Sequence, residues 1–238
     1  MTCRIAGATV HYGAKEALRC GTLEMASGEF VAVVGPNGAG KSTLVSMLAG
    51  LRGYGGSCLL EGREIRDWPR RQLSRAVAFA PQSVDLQFPF TAREVALMGR
   101  VAHAQRMFES PDDFAAVDRA MEETDTLHLC DRDFRTLSGG EKQRVVLAAA
   151  VAQSTPVMVL DEPTAHLDPK HQLAAFSMLV RFAHAGALVV AATHDLRLAR
   201  EFCSRVVVLH EGNVVGEGLS AGVFSRVFEV DHQRWLGA

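Results

Sequence analysis

The sequence predicts an α/β fold with a mostly parallel sheet, an N-terminal antiparallel β subdomain and an inserted all-helical subdomain. Three observations lead to this prediction: short continuous apolar runs, helical patterns between several of them, and a central stretch that lacks such runs. Runs of four or five apolar residues are typical of strands buried on both faces of a parallel sheet. The predicted buried strands are residues 30–34, 77–80, 157–160, 188–192 and 206–209.

Two strands of another kind are predicted before the first buried run. Residues 5–12 and 17–25 alternate loosely between apolar and polar side chains. Such alternation is typical of strands with one face towards solvent. The turn-forming residues 26–29 then lead into the first buried run. These two strands form the predicted antiparallel β subdomain.

The central stretch at about residues 91–153 predicts helices only. Thr91 and Glu94 have the spacing of a capping box, and Ser110 is followed by Pro111, a favoured first helical residue. We therefore expect a single domain over residues 1–238, in which a helical insert at about 91–153 interrupts a core at about 1–90 and 154–238.

Composition and charge exclude several classes of protein. The chain of 238 residues is 48% hydrophobic with a formal net charge of −2, which does not fit intrinsic disorder or a broad nucleic-acid interface. The longest uncharged stretch, residues 145–160, is shorter than the roughly 20 apolar residues of a membrane span. We predict neither a nucleic-acid partner nor a membrane-spanning helix.

A phosphate site follows the first buried strand. Residues 35–42 match G-x-x-x-x-G-K-[ST] in full, between a strand and a helical pattern, and so predict a P-loop NTPase core of the RecA-like type. Backbone N–H groups would surround the phosphates, Lys41 would reach the β- and γ-phosphates, and Ser42 would ligate Mg²⁺. The predicted nucleotide-binding residues of this loop are Gly35, Pro36, Asn37, Gly38, Ala39, Gly40, Lys41, Ser42 and Thr43.

Two acids follow the predicted strand 157–160. Ligands of open α/β sheets bind at the carboxyl ends of strands, which is where Asp161 and Glu162 lie. We expect Asp161 to hold Mg²⁺, through its water shell, and Glu162 to orient or deprotonate the attacking water. A nucleoside triphosphate and Mg²⁺ are therefore the expected substrate and cofactor.

A second anion-binding helix start is predicted at residues 137–144, which read Leu-Ser-Gly-Gly-Glu-Lys-Gln-Arg. Ser138 and Glu141 form a capping box, so a helix begins at Gly139 and Gly140 with free N–H groups. With the two nucleotide motifs, this sequence resembles the ATP-binding subunit of an ABC transporter. The resemblance implies a head-to-tail dimer in which this signature closes on the γ-phosphate of ATP held by the other subunit.

Four further positions match motifs of that family. By resemblance, Gln82 contacts Mg²⁺ or water and reports to the membrane partner, and His194 contacts the γ-phosphate. Asp168 would cross the dimer interface and also cap the next helix, while Tyr12 would stack on adenine. The resemblance thus implies catalytic roles for Glu162, His194 and Gln82, and magnesium ligands Ser42, Gln82 and Asp161.

The stretch at residues 81–100 is similar to that of ATPases serving haem, ferric-siderophore and cobalamin importers. It ends in Met-Gly-Arg, but Ala102 stands where that group often has proline. We expect import of an iron chelate, with haem first and a siderophore, cobalamin or another metal chelate as alternatives. A non-transport ABC ATPase, a regulatory module and an exporter ATPase are further alternatives.

The resemblance also implies partners and a location. These are a second copy of the chain, two integral-membrane permease subunits and, indirectly, a periplasmic or extracellular substrate-binding protein. The subunit would be peripheral, on the cytoplasmic face of the inner membrane. Phe88 and Phe90 flank a proline at the entrance to the helical insert, where exposed rings are costly. We expect at least one ring to line a groove that receives a permease helix.

Overall fold

The structure is a computed structural model that describes residues 1–103 and 109–228, with one ten-stranded sheet and eight α-helices in these ranges. The strands are β1 (Thr2–Tyr12), β2 (Lys15–Ala26), β3 (Phe30–Val34), β4 (Gly55–Leu60), β5 (Arg63–Glu64), β6 (Val77–Ala80), β7 (Val157–Asp161), β8 (Leu188–Ala192), β9 (Arg205–His210) and β10 (Asn213–Glu217). The helices are α1 (Lys41–Leu48), α2 (Arg70–Ala76), α3 (Ala92–Leu97), α4 (Pro111–Glu123), α5 (Gly139–Ala152), α6 (Pro169–His184), α7 (Leu196–Phe202) and α8 (Ala221–Phe228). None of these helices is long and apolar enough to span a bilayer.

The sheet has the order β5-β4-β1-β2-β10-β9-β3-β8-β7-β6. Strands β9, β3, β8, β7 and β6 are parallel neighbours, which confirms the five predicted buried strands. Strands β1, β2, β4 and β5 form the antiparallel part. The two parts meet at a single parallel residue pair, Asn213 of β10 with Arg19 of β2.

The parallel strands bring distant segments to one edge of the sheet. Because β3, β6, β7 and β8 run in the same direction, their carboxyl ends lie side by side. Asp161 and Ala192, the last residues of β7 and β8, are direct neighbours in the register. The loops that follow these four strands carry the predicted phosphate loop, Gln82, Glu162 and His194.

The central strands form the middle of the core. Every residue of β3, β7 and β8 is buried, as their apolar composition requires. On one face of the sheet, Leu44 and Met47 of α1 pack in a cluster that reaches into the antiparallel part. On the other face, Phe30 packs against Phe176 of α6 with ring centroids 5.6 Å apart. Both faces of the parallel sheet are therefore covered.

The central stretch is helical, as the sequence predicts. Within the described part of residues 91–153, the structure contains α3, α4, α5 and short 3₁₀ turns, and residues 104–108 lie outside the described ranges. The capping boxes at Thr91 and Ser110 are both present. Buried side chains of this stretch share one cluster with Ala78 and Met158 of the sheet, so the helices pack directly on the core.

Candidate nucleotide-binding site

The predicted phosphate loop lies between β3 and α1 in a conformation that requires glycine. Gly35 has φ +156°, and a Cβ there would lie 2.2 Å from the carbonyl oxygen of Leu209. Gly40 has φ +98°, and its Cβ would lie 2.8 Å from the carbonyl oxygen of Ala17. Gly40 is the N-cap residue of α1, and no side-chain hydrogen bond caps this end of the helix in the described part of the chain. The first N–H groups of α1 can therefore bind an anion.

Lys41 is a buried cation beside this loop, with 7% of its surface exposed. Its Nζ donates to the carbonyl oxygens of Gly35 at 2.8 Å and Pro36 at 3.2 Å. Burial lowers the pKa of Lys41, while the charges of Glu162 and Asp161 oppose that shift. A phosphate anion in the loop would supply the strong counter-charge that the carbonyl groups do not.

Ser42 and Asp161 form the second part of the site. The Ser42 hydroxyl donates to Asp161 Oδ1 at 3.0 Å, although the two residues are 119 positions apart in the chain. Burial raises the pKa of Asp161, while the Ser42 hydrogen bond and the charge of Lys41 lower it. A hydroxyl and a buried carboxylate are oxygen donors of the kind Mg²⁺ prefers, so these residues fit a magnesium ion.

Glu162 and His194 are in direct contact at the carboxyl ends of β7 and β8. Glu162 is 6% exposed, and its carboxylate Oε1 lies 2.8 Å from His194 Nδ1. Its backbone has φ +52°, unusual for a residue other than glycine, and its N–H donates to the carbonyl oxygen of Ala192. Burial raises the pKa of Glu162, while the charges of His194 and Lys41 lower it. A carboxylate with a raised pKa is suited to accepting a proton from water.

A cleft of about 570 Å³ brings most of the predicted nucleotide residues together. The predicted residues that line it are Asn37, Gly38, Ala39, Gly40, Lys41, Ser42, Thr43, Gln82, Glu162 and His194. Sequence reasoning missed Lys15, Glu16, Ala17, Glu211 and Gly212, which also line it. Lys15, Glu16 and Ala17 begin β2, and Glu211 and Gly212 form the β9–β10 turn. No local motif marks them.

Four of the predicted nucleotide and magnesium residues do not line this cleft: Tyr12, Gly35, Pro36 and Asp161. Of these, Tyr12 was predicted to contact adenine. It ends β1, is 45% exposed, and its ring faces the Arg52 guanidinium, with the ring centroid 5.2 Å from Cζ. A register shift between Val10 and His11 precedes it, which changes the direction of the strand end. The adenine contact of Tyr12 stays a prediction.

A separate cleft of about 560 Å³ contains the signature residues. The capping box of Ser138 and Glu141 is present at the start of α5, with Ser138 N–H donating to Glu141 Oε2 at 2.8 Å. A Cβ on Gly140 would lie 2.9 Å from the carbonyl oxygen of His166, so the loop before α6 packs closely on the signature. Asp168 caps α6 and lines this cleft. The residues of this cleft and those of the nucleotide cleft do not overlap.

Comparisons with known proteins identify the family of this chain. The profile of the ABC transporter family matches residues 18–165. The Hemin import ATP-binding protein HmuV of Myxococcus xanthus is 44% identical over 234 residues, which cover 95% of this chain and 87% of that protein. The Cobalamin import ATP-binding protein BtuD of Halobacterium salinarum is 40% identical over 227 residues, which cover 94% of this chain and 57% of that protein.

A solved structure with a similar fold is a dimeric ATP-binding cassette in a post-hydrolysis state, bound to ADP and phosphate. It has a TM-score of 0.82 and 26% sequence identity, over 91% of this chain and 97% of that one. The described fold is therefore that of an ATP-binding cassette.

Proposed function

This chain belongs to the ABC transporter family, and we propose that it powers the import of an iron chelate, with haem as the leading substrate. Its reaction is the hydrolysis of ATP. One observation supports the proposed mechanism: the chain has two separate clefts, and each contains a helix N-terminus. A single ATP molecule would need both, and a dimer supplies the second.

In the proposed mechanism, the first cleft holds ATP and orients the water that attacks it. The glycine-rich loop and Lys41 bind the phosphates through N–H groups and charge. Glu162 accepts the proton of the attacking water, and His194 and Gln82 lie beside the γ-phosphate. The Ser42 hydroxyl and the Asp161 carboxylate, whose oxygens lie 3.0 Å apart, would hold Mg²⁺ with the help of Gln82. The ion would supply positive charge that offsets the charge of the phosphates.

The second cleft completes the site of a partner subunit. The N–H groups at Gly139 and Gly140, with the Ser138 hydroxyl, bind the γ-phosphate of ATP held by the other copy. Asp168 contacts the partner at the same interface. We propose that residues 91–153 act as one body that carries the signature to this interface, attached to the core by the shared cluster of buried side chains.

The proposed cargo is supported by relatives rather than by a pocket in this chain. The 44% identical relative is named as a hemin import protein, and a 40% identical relative is named as a cobalamin import protein. Cobalamin is therefore the second candidate. Uptake of haem and of cobalamin by vesicles that contain the chain and its cognate permease would separate them. Accumulation of cobalamin but not of haem would contradict the leading substrate.

The proposed partners are two permease subunits, with a periplasmic or extracellular substrate-binding protein as an indirect partner. The subunit itself would be peripheral, at the cytoplasmic face of the inner membrane. Phe88, six residues after Gln82 in the chain, supports a docking surface, because 71% of its surface is exposed while Phe90 packs against the buried cluster that the insert shares with the sheet.

The substitution Glu162→Gln tests the mechanism. The amide should still bind ATP but should accept no proton, so hydrolysis should fall by about 100-fold or more. Bound ATP should then persist, and the variant should elute as a dimer in size-exclusion chromatography with Mg-ATP and as a monomer without it. Normal turnover, or tight ATP binding without dimers, would contradict the proposed mechanism.

A further inference from the structure

Elements on both sides of the signature cleft meet at the side chain of His171, the third residue of α6. Its Nδ1 lies 2.7 Å from Asp168 Oδ2, and its Nε2 lies 3.4 Å from Asp125 Oδ2. Asp168 is the N-cap of α6, and Asp125 lies in the turn after α4, within the helical insert. Both ring nitrogens of His171 therefore face carboxylate oxygens from different parts of the chain.

The protonation of the imidazole decides whether both contacts are hydrogen bonds. A neutral imidazole has a single N–H group and can donate to only one of the two carboxylates. A protonated imidazole has two N–H groups and can donate to Asp168 and Asp125 at the same time. The complete connection therefore exists only when His171 is charged.

Arg144 extends this connection to the signature helix. From α5, its guanidinium donates to the carbonyl oxygen of Asp125 at 2.9 Å and to Asp125 Oδ2 at 3.0 Å. Only 12% of the Arg144 side chain is exposed. We call the series Asp168–His171–Asp125–Arg144 the four-residue bridge. It connects the residue that caps α6 to the helix that begins at the signature.

A second ion pair connects α6 to the end of α4 but lies outside this bridge. Arg181, in the last turn of α6, pairs with Glu123, the last residue of α4. Its guanidinium stays charged at all pH values of interest. The chain thus offers an internal control that joins the same two helices without depending on a histidine proton.

The ionisable groups around His171 come from each element packed against it. From α6 and the loop before it come His166, Asp168 and Lys170. From the end of α4 and the turn after it come Glu123, Asp125 and His128. From α5 come Glu141 and Arg144. The backbone and ring N–H groups of His171 lower the pKa of Asp168. For Asp125, burial would raise the pKa, but the bond from His171 and the charge of Arg144 lower it overall. Both carboxylates therefore stay ionised at neutral pH.

We propose that His171 is a positioning residue whose charged form holds Asp168 and the signature helix in one arrangement, ready to receive the ATP of the partner subunit. This inference rests on the proposed function, because only a head-to-tail dimer brings the signature cleft onto ATP. It assigns a pH-sensitive contribution to dimer closure to a side chain outside the nucleotide cleft.

The test uses the Glu162→Gln variant, which also removes the carboxylate that pairs with His194. The dimer dissociation constant with Mg-ATP would be measured by analytical ultracentrifugation at about pH 6 and about pH 8.5, on either side of ordinary histidine titration. Dimers of this parent should be tighter at the acidic pH. Adding His171→Gln should weaken dimerisation about threefold to tenfold at the acidic pH and by less than about twofold at the basic pH.

Three further variants in the same background separate the bridge from its surroundings. Asp125→Asn should reduce the pH difference as His171→Gln does. His128→Gln should preserve it, although His128 Nδ1 lies 4.0 Å from Asp125 Oδ1. Arg181→Gln should weaken the dimers equally at both pH values. Thermal unfolding of each variant without nucleotide shows whether it is folded.

The inference is overturned if the folded His171→Gln protein keeps the pH difference of its parent, or if His128→Gln abolishes that difference. It is also overturned if the parent shows no pH difference. Failure of the parent itself to form ATP-dependent dimers would instead overturn the proposed function, and this inference with it. The two failures are therefore distinguishable from one data set.

Discussion

At the scale of single residues, Lys41 is a buried charge whose hydrogen-bond acceptors, among the described residues, are carbonyl oxygens. Its Nζ contacts Gly35 and Pro36, and burial lowers its pKa. Carbonyl dipoles stabilise a buried ammonium group less than a full negative charge does. A phosphate anion in the loop therefore stabilises the Lys41 ammonium group more than the carbonyl oxygens alone do.

The substitution Lys41→Ala should lower ATP hydrolysis by about 100-fold or more, because the phosphates lose their main cationic partner. The control is Lys15→Ala, an exposed lysine at the rim of the same cleft, which should lose at most about threefold because solvent screens its charge. Steady-state phosphate release measures both. Equal losses in the two variants would mean that the loop needs only general positive charge.

At the scale of elements, the short 3₁₀ turn Met98–Arg100 joins α3, α4 and α5 of the insert. A Cβ on Gly99 would lie 2.0 Å from the carbonyl oxygen of Ala149 in α5. The Arg100 guanidinium donates to Asp113 Oδ1 and to the carbonyl oxygen of Ala152, both at 2.8 Å. The Met-Gly-Arg sequence, noted first only as a resemblance, thus holds the three helices together.

The substitution Gly99→Ala should destabilise the fold by about 2 kcal/mol or more, because the new methyl group forces the turn away from the backbone of α5. Gly21→Ala is the control, since Gly21 lies in β2 with no atom within 4 Å of its Cβ position. That change should alter stability by less than about 0.5 kcal/mol. Urea unfolding followed by circular dichroism measures both, and similar midpoints would contradict the close approach.

The Arg100–Asp113 pair should make the insert sensitive to acid. The Ser110 hydroxyl and then the Arg100 guanidinium lower the pKa of Asp113 from 3.8 to about 2. A lowered folded-state pKa contributes stability that is present above the unfolded pKa, near 4, and is lost as the pH falls towards about 2. This shift in the pKa of Asp113 corresponds to about 2 kcal/mol in the free energy of unfolding.

The substitution Asp113→Asn should therefore remove this contribution at neutral pH and flatten the fall in stability between about pH 5 and about pH 2. Asp112→Asn, the neighbouring exposed acid in the first turn of α4, serves as the control and should preserve the slope. Chemical unfolding at a series of pH values measures both. A slope that Asp113→Asn leaves unchanged would contradict the lowered pKa.

At the scale of the whole molecule, the entrance to the insert combines a partly buried ring, Phe90, with an exposed one, Phe88. Phe90 packs against the buried cluster that the insert shares with the sheet. The Phe88 ring contacts the Phe90 ring edge to face, with ring centroids 6.5 Å apart. The structure thus gives the two rings different surroundings: Phe90 packs against the core and Phe88 lies at the surface. An exposed ring six residues after Gln82 in the chain suits a contact with the proposed permease.

The substitution Phe88→Ser should leave the unfolding temperature and ATP binding of the isolated subunit nearly unchanged, because the ring is 71% exposed. The same change should weaken association with the permease and uncouple substrate-stimulated hydrolysis in vesicles. Phe114→Ser, at an exposed aromatic position of α4, is the control and should preserve coupling. Full transport by the Phe88→Ser variant would mean that the coupling surface lies elsewhere on the molecule.

Much of the fold and of the nucleotide site follows from local patterns in the sequence. Strand β3 is recognisable because its five residues are all apolar, and α5 because Ser138 and Glu141 have capping spacing. The phosphate loop is recognisable because its glycines, lysine and serine occur at fixed spacing after a strand. These features depend on interactions within a few residues, which a sequence displays directly.

The tertiary structure alone decided which distant segments meet. The β9–β10 turn enters the nucleotide cleft because Asn213 pairs with Arg19, and the four-residue bridge forms because α4 ends beside α6. Strands β4, β5 and β10 were not predicted from the sequence. Strand β5 has only two residues, β4 and β10 contain glycine, and all three have exposed or partly exposed residues. Their strand conformation comes from hydrogen bonds to distant strands, and this long-range pairing leaves no periodic signal in the sequence.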